Sequence, residues 1–402
     1  MSFRKIIFWA HLVAGLVAGL VIATMALTGM TLAFRNQIVA RVERGVAHVA
    51  PPPPGTTAQP LGDLVSAVRE DQPDARISGV TVQHDPTAAV LVSTGRNEGV
   101  YVDPYSAEIL GPTATAWRSF FQTMEDWHRA LGREGPNRRI GQAVTGAACA
   151  LYFWLLLSGF YLWWPAKVGR LRFKLGGKAR DWNWHNVVGA WVSPLLLVTT
   201  FTGLVMSYRW ANNLVFVLSG SPVPAAEGGG APRGEGNRPG AGGPGERGNG
   251  ERMASGARPD GAPRNREGAG GGSRMRIDYD RMVHAAAQAV PDWESINVRA
   301  GGPRGGGPGG AAGIAVSVRP QGVWPLFAQT QLTLDPATGA VLRTETYDQS
   351  NAGRKVRTWI RFLHTGEAFG WVGATLMALA AAGGVLLVFT GLSLAYRRFF
   401  AR

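Results

Sequence analysis

Four stretches of the chain carry no Lys, Arg, Asp or Glu: residues 6–34, 140–166, 182–208 and 368–396. Each exceeds the roughly 20 residues that cross a hydrocarbon core as a helix, so the pattern predicts an α-helical integral membrane protein with a four-helix transmembrane bundle. The first run is longer than the roughly 7 to 15 apolar residues at the core of a cleaved signal segment. It is read as an anchor that stays in place.

Between these runs the apolar positions change period. The segment 35–139 opens a helical pattern at 61–70, ahead of Pro73, and continues with β-rich runs at 77–82, 89–92 and 100–110, the last broken by a turn at Asp103-Pro104. The segment 273–367 repeats this order: a helical pattern at 278–290 before Pro291, then β-rich runs near 296–298, 314–318 and 329–334. The turn Asp103-Pro104 through Leu110 aligns with Asp335-Pro336 through Leu342. The expectation is therefore two small α+β modules related by internal repeat, each flanked by membrane helices. Residues 221–272 are dominated by Gly, Pro and Arg and cannot bury enough apolar surface to offset ordering entropy, so they are expected to be a disordered linker. A second glycine run, 301–310, reads as an extended hairpin loop. Neither run has the strand and helix context of a phosphate-binding loop.

The formal net charge is +14. Much of it flanks the apolar runs: Arg4 and Lys5 before the first; Lys167, Arg170, Arg172, Lys174, Lys178 and Arg180 in the basic loop 167–181; Arg397, Arg398 and Arg402 after the last. Lys and Arg beside short loops are retained in the cytoplasm, which predicts cytoplasmic termini and two large external segments. Orientation thus accounts for the charge, and no nucleic-acid partner is expected. Cys149 has no second cysteine in the chain, which excludes an intrachain disulfide and a four-cysteine iron–sulfur cluster.

Histidine placement changes the picture most. His11 and His185, Gly15 and Gly189, Gly29 and Gly203, and Arg35 and Arg209 are each 174 residues apart. His11 and His185 open the first and third apolar runs on the cytoplasmic side, whereas His128 and His364 precede the second and fourth on the external side. One such histidine is ordinarily a hydrogen-bonding residue at the membrane interface. Four at matched depths, each followed four residues later by Gly15, Gly189, Gly132 or Ala368, suggest imidazole pairs holding haem iron, because residues i and i+4 share a helix face and a porphyrin needs a flat one. Pairing within each membrane face is expected, since a 17-residue helical separation between His11 and a histidine on the outer side is about 26 Å. Zinc is the other metal to weigh, but no Cys or carboxylate lies at ligand spacing. Arg35 and Arg209 have two readings, as anchors at the interface or as partners of a haem carboxylate; Arg138 and Arg139 share the ambiguity. Trp117, Trp127, Trp163, Trp164, Trp182, Trp184, Trp359 and Trp371 lie near helix ends as in an aromatic belt. His48, His84 and His284 follow no such pattern.

Several motifs together resemble the PepSY-associated transmembrane helix family of bacterial inner-membrane proteins: His11-x3-Gly15 through Leu27-Thr28-Gly29; Ser158-Gly159-Phe160-Tyr161-Leu162-Trp163-Trp164-Pro165; Trp184-His185-x3-Gly189-x-Trp191 through Thr202-Gly203-Leu204; Leu363-His364-Thr365-Gly366; and the two Asp-Pro turns. The resemblance covers nearly the whole chain outside the glycine-rich linker. It implies periplasmic PepSY-like modules, two b-type haems on His11, His185, His128 and His364, and electron transfer from the cytoplasmic side to ferric siderophores or similar ferric chelates. Some relatives carry a fused flavin and nicotinamide reductase; this chain ends six residues after its last apolar run, so the expected donor is a separate cytoplasmic reductase or a membrane quinol. Two alternatives remain: a non-enzymatic, membrane-anchored PepSY protein acting on an extracytoplasmic protease, and a transport partner binding haem or metal transiently.

The orientation is testable directly. In a Cys149→Ser background, Leu175→Cys should react with a membrane-impermeant maleimide only after spheroplasts are lysed; labelling of intact spheroplasts would invert the topology.

Overall fold

The structure, a computed structural model, describes residues 2–164, 169–224, 277–300 and 313–400. The first half of the chain runs through helices α1 (Phe3–Leu32), α2 (Arg35–Glu43) and α3 (Leu61–Asp71), strands β1 (Gly79–Gln83), β2 (Val90–Ser93), β3 (Gly99–Val102) and β4 (Ile109–Pro112), then α4 (Thr115–Ala130) and α5 (Arg138–Trp163). The second half repeats that order with α6 (Gly177–Ser207), α7 (Arg209–Leu218), α8 (Tyr279–Ala289), β5 (Trp293–Arg299), β6 (Ile314–Pro320), β7 (Thr330–Leu334), β8 (Val341–Glu345), α9 (Ala352–Thr365) and α10 (Gly370–Phe399). The expected linker 221–272, after its first four residues, and the glycine run 301–310 lie outside the described residues.

Among the described residues four helices are long and apolar enough to cross a membrane, and they are built on α1, α5, α6 and α10. They form a square in which α1 and α6 each pack against both α5 and α10. Thus α1 faces α6 across one diagonal. Their outer faces expose Val17, Leu20, Trp191, Leu379 and Phe389, as lipid contact demands. The third span begins earlier than its uncharged run: α6 starts at Gly177 and takes in Asp181, which is buried between Arg180, Arg397 and the Ser393 hydroxyl. A charge that is paired this way can extend the helix inward.

Beyond one end of the bundle lies an antiparallel sheet of eight strands in the order β4-β3-β2-β1-β5-β6-β7-β8. The two modules expected from the sequence are therefore halves of one sheet. Left apart, β1 and β5 would each be an exposed edge; pairing Gly79 with Arg299 through Gln83 with Ser295 satisfies both rows of backbone groups. At the seam the Asn297 amide donates to the Thr81 hydroxyl at 2.7 Å. A Cβ on Gly79 would meet the Val298 carbonyl oxygen at 2.7 Å, so only glycine fits there. One apolar core runs beneath both halves, with Leu64, Val65 and Val68 of α3, Met282 and Ala286 of α8, and Val80, Val92, Ile296, Val298, Val316 and Leu332 of the strands. The helices also share a cap. Pro60 offers α3 no side-chain acceptor, and Asp280 of α8 takes the Leu61 and Gly62 amides at 2.7 and 3.1 Å.

Two amphipathic helices connect sheet to bundle: α4 lies on α1 and α5, and α9 lies on α6 and α10. Each comes close enough for backbone to meet backbone. A Cβ on Gly141 would sit 2.0 Å from the Ala130 carbonyl oxygen, and one on Gly373 would sit 2.1 Å from that of Gly366. Gly366 itself has φ +79°, the left-handed conformation that ends α9.

The α4 helix is further fixed by Glu43, at the end of α2. Its carboxylate accepts from Arg118 Nε and Nη2 at 2.7 Å each, from the Tyr101 hydroxyl at 2.9 Å and from the Ala114 amide at 2.8 Å. Burial, and then the Glu43 charge, push the Tyr101 phenol up to about 12. Removing one member of a buried pair strands the other, so Glu43→Ala should cost about 3 kcal/mol of stability. Thermal unfolding in detergent checks this; a loss below about 1 kcal/mol would show the cluster to be incidental.

Candidate metal centres in the bundle

The structure brings the four singled-out histidines together in two pairs. At the loop end of the bundle, His11 of α1 and His185 of α6 stand across the diagonal from each other, with ring centroids 6.4 Å apart and ring planes at 88°. At the sheet end, His128 of α4 and His364 of α9 stand 6.2 Å apart with planes at 63°. These are not contact distances for stacked rings. Two imidazole–metal bonds of about 2.0–2.1 Å, plus roughly 1.1 Å from each nitrogen to its ring centre, sum to roughly 6.3 Å. Each pair is spaced for one metal ion between two Nε2 atoms.

Every ring is oriented through its other nitrogen. His11 Nδ1 lies 2.8 Å from Ser158 Oγ, and His185 Nδ1 lies 3.0 Å from Thr390 Oγ1. His128 Nδ1 lies 2.9 Å from the Met25 carbonyl and 3.1 Å from Thr28 Oγ1; His364 Nδ1 lies 3.0 Å from the Thr199 carbonyl and 3.1 Å from Thr202 Oγ1. A carbonyl only accepts, so Nδ1 of His128 and of His364 carries the proton. The hydroxyls of Ser158, Thr390, Thr28 and Thr202 each donate to the carbonyl four residues back in their own helix, which leaves them to accept from Nδ1–H. In all four cases Nε2 keeps its lone pair for a metal.

Each hydroxyl is followed by a glycine that seats the ring. A Cβ on Gly159 would lie 3.3 Å from His11 Cε1; on Gly391, 3.3 Å from His185 Cε1; on Gly29, 3.2 Å from His128 Cε1; on Gly203, 3.3 Å from His364 Cε1. Small residues are thus required on the facing helix. The expectation that they follow each ligand on its own helix is corrected at the sheet end: α4 ends at Ala130 and α9 at Thr365, so Gly132 lies in a turn against Trp127 and Ala368 in a 3-10 turn. Three of the hydroxyl–glycine dipeptides were visible as parts of sequence motifs. Thr390-Gly391 was missed, and its signal is a Ser/Thr-Gly pair in each of the four apolar runs.

The surroundings favour neutral rings. Loss of solvation holds His128 below the usual imidazole value, and the same loss, with His128 nearby, takes His364 down to about 4. Among the described residues no three His, Cys, Asp or Glu side chains converge on a metal position. Each centre therefore offers two nitrogen donors, which suits a metal whose remaining positions are filled by its own macrocycle. Among the described residues, the buried N–H donors Arg138 Nε and Trp184 Nε1 have no hydrogen-bond partner. Trp184 adjoins His185, and Arg138 is paired at 2.9 Å with Asp126, two residues before His128. A carboxylate-bearing cofactor would satisfy such atoms.

The arginines picked from the sequence are placed differently. Arg35 is paired with Glu125 at 3.2 Å, and Glu125 also holds Arg129 at 3.0 Å, one turn from His128. Arg209 is exposed at the start of α7. Neither reaches a histidine pair through a direct bond. His48 bonds the Arg44 carbonyl, His84 meets Trp293 edge to face, and His284 bonds Gln288; all three lie outside the bundle.

The chain matches the family described as PepSY-associated TM region over residues 8–398. No curated protein matches it.

Partners that orient a ligating imidazole are worth about 10–100-fold in metal affinity. Ser158→Ala and Thr390→Val should weaken retention of a metal centre at the loop end by that factor and leave the sheet end unchanged, as followed by metal release during dialysis. Equal retention in both variants would show that the hydroxyls do not orient the rings.

Proposed function

Because the chain belongs to the PepSY-associated transmembrane family, we propose that it is a di-haem electron-transfer protein of a bacterial inner membrane, reducing ferric siderophores or similar ferric chelates outside with electrons from the cytoplasmic side. The observation that carries this reading is the spacing of two imidazole pairs, 6.4 and 6.2 Å between ring centres, at opposite ends of a membrane-spanning bundle. When bound between two imidazoles, a b-type haem supplies a reversible one-electron couple without an open coordination position.

The chain's own residues would do the rest. His11 with His185 and His128 with His364 would hold the iron, while the Ser and Thr hydroxyls fix ring orientation and keep Nε2 unprotonated. Arg138 Nε and Trp184 Nε1, buried and without a partner among the described residues, are the donors a haem carboxylate would satisfy; Arg35 would serve only by exchanging Glu125, and Arg209 only by turning inward. The apolar bundle between the pairs excludes water. Arg170, Arg172, Lys174 and Lys178 at the loop end set that end in the cytoplasm, and the sheet then lies in the periplasm. There, iron(III) in a hard oxygen chelate accepts one electron and becomes iron(II), which such chelates hold far less tightly, so the metal leaves with the ligand intact. The electron donor would be a separate cytoplasmic reductase or a membrane quinol. A purely regulatory PepSY protein, anchored by inert helices, gives no reason for two matched imidazole pairs.

Purified protein should show a Soret band with about two haems per chain. His11→Ala or His185→Ala should remove one haem, His128→Ala or His364→Ala the other, each leaving half the absorbance. Absence of a Soret band after expression with added haem, or spectra indifferent to all four changes, would overturn the reading.

A further inference from the structure

One aromatic side chain crosses the bundle between the two imidazole pairs. Tyr152 of α5 packs against a cluster of Ala18, Ile22 and Ala148 on one side and against Leu156, Leu196 and Ala380 on the other. It is the single aromatic residue in either cluster; all other members are aliphatic or Met25. Its hydroxyl is buried and, among the described residues, has no hydrogen-bond partner; a Cβ on Gly384 would lie 2.7 Å from it. That same Cβ position is 3.7 Å from Ala26 Cβ and 3.8 Å from Leu196 Cδ2. Side chains from α1, α5 and α6 therefore converge on the α10 backbone at this place.

The meeting point lies between the metal centres in every helix. Ala26 falls between His11 and Thr28 of α1, and Leu196 between His185 and Thr202 of α6. Gly384 falls between Gly373, packed on the end of α9, and Thr390. Tyr152 itself falls between Ser158, which orients His11, and Cys149, whose Sγ lies 3.1 Å from the Cβ position of Gly203, the seat of His364. Burying a phenol oxygen without a partner is costly, and phenylalanine would pack there without that cost. No polar contact explains the side chain's position. What the ring contributes is a conjugated bridge over a gap otherwise filled by separate aliphatic contacts, across which electronic coupling decays faster.

We propose that Tyr152 is the bridging residue through which an electron passes from the loop-end centre to the sheet-end centre, an inference that rests on the di-haem reading above. In that step an iron held at the loop end would go from iron(II) to iron(III) and one held at the sheet end from iron(III) to iron(II). No bond forms or breaks. The phenol would keep its proton, because among the described residues no acceptor is within hydrogen-bond distance.

The test uses the full-length, haem-loaded chain in nanodiscs, with a ruthenium photoreductant attached at Leu175→Cys to reduce the loop-end haem by flash. Haem absorbance then reports the rate of transfer to the sheet-end haem in wild type, Tyr152→Phe, Tyr152→Leu and Tyr152→Met. The aliphatic variants should slow transfer at least about tenfold at unchanged haem content, spectra and midpoint potentials, and the phenylalanine variant should stay within about threefold of wild type. Transfer at the wild-type rate in whichever aliphatic variant retains both haems would overturn the proposal, as would Tyr152→Phe slowing as far as Tyr152→Leu. A wild-type chain that binds no haem removes the di-haem reading first, and this inference with it.

Discussion

An imidazole that is to reach a metal on the axis of a helical bundle, as in the di-haem reading proposed above, has to give up one nitrogen to the protein and keep the other bare, and the four rings here are held in a way that meets that constraint. Four rings are held at Nδ1 by a hydroxyl, and at the sheet end by a backbone carbonyl as well. Inside a membrane a hydroxyl ordinarily folds back on its own helix, which satisfies its hydrogen but not its lone pairs. Ser158, Thr390, Thr28 and Thr202 use both: the proton goes to the carbonyl one turn back, and the oxygen accepts from a histidine of another helix. The following glycine removes the side chain that would keep the ring away. A two-residue pattern thus supplies orientation, tautomer and space together.

The extramembranous sheet is tied to the same constraint. His128 and His364 are on α4 and α9, which are too short to span the bilayer and have to be placed from outside. Their placement comes from contacts at both ends. Gly141 and Gly373 let their final turns settle on α5 and α10, while the Glu43 cluster links α4 to α2 and β3. Because β1 and β5 pair, the two halves of the sheet form one rigid support, and the relative position of α4 and α9 follows from it. Two independent modules would leave the distance between His128 and His364 to chance.

The diagonal arrangement of the bundle also has an energetic side. Ligands from adjacent helices would bring rings together at a helix–helix contact, where no space remains for a large planar group. Rings carried at opposite corners, His11 of α1 and His185 of α6, meet instead across the interior, where Gly159 and Gly391 on the other two helices give them room. The histidines remain partly accessible in the protein alone.

Much of this was written locally in the chain. The four spans, the two α+β segments, their turns and the matched histidines follow from hydropathy period, charge runs and spacing, since lipid and water impose those patterns on each segment separately. Even the boundaries agree within a few residues, except where Asp181 finds partners on α10 and lets α6 begin early. What only the tertiary structure decided are relations between segments far apart in sequence. These include the joining of β1 to β5, the borrowed cap from Asp280, the seating of His185 on Thr390-Gly391, the pairing of Arg35 with Glu125, and the place of Tyr152 on the bundle axis. No local period encodes them, because each depends on which helix faces which, and that is settled by close packing of the whole bundle and sheet.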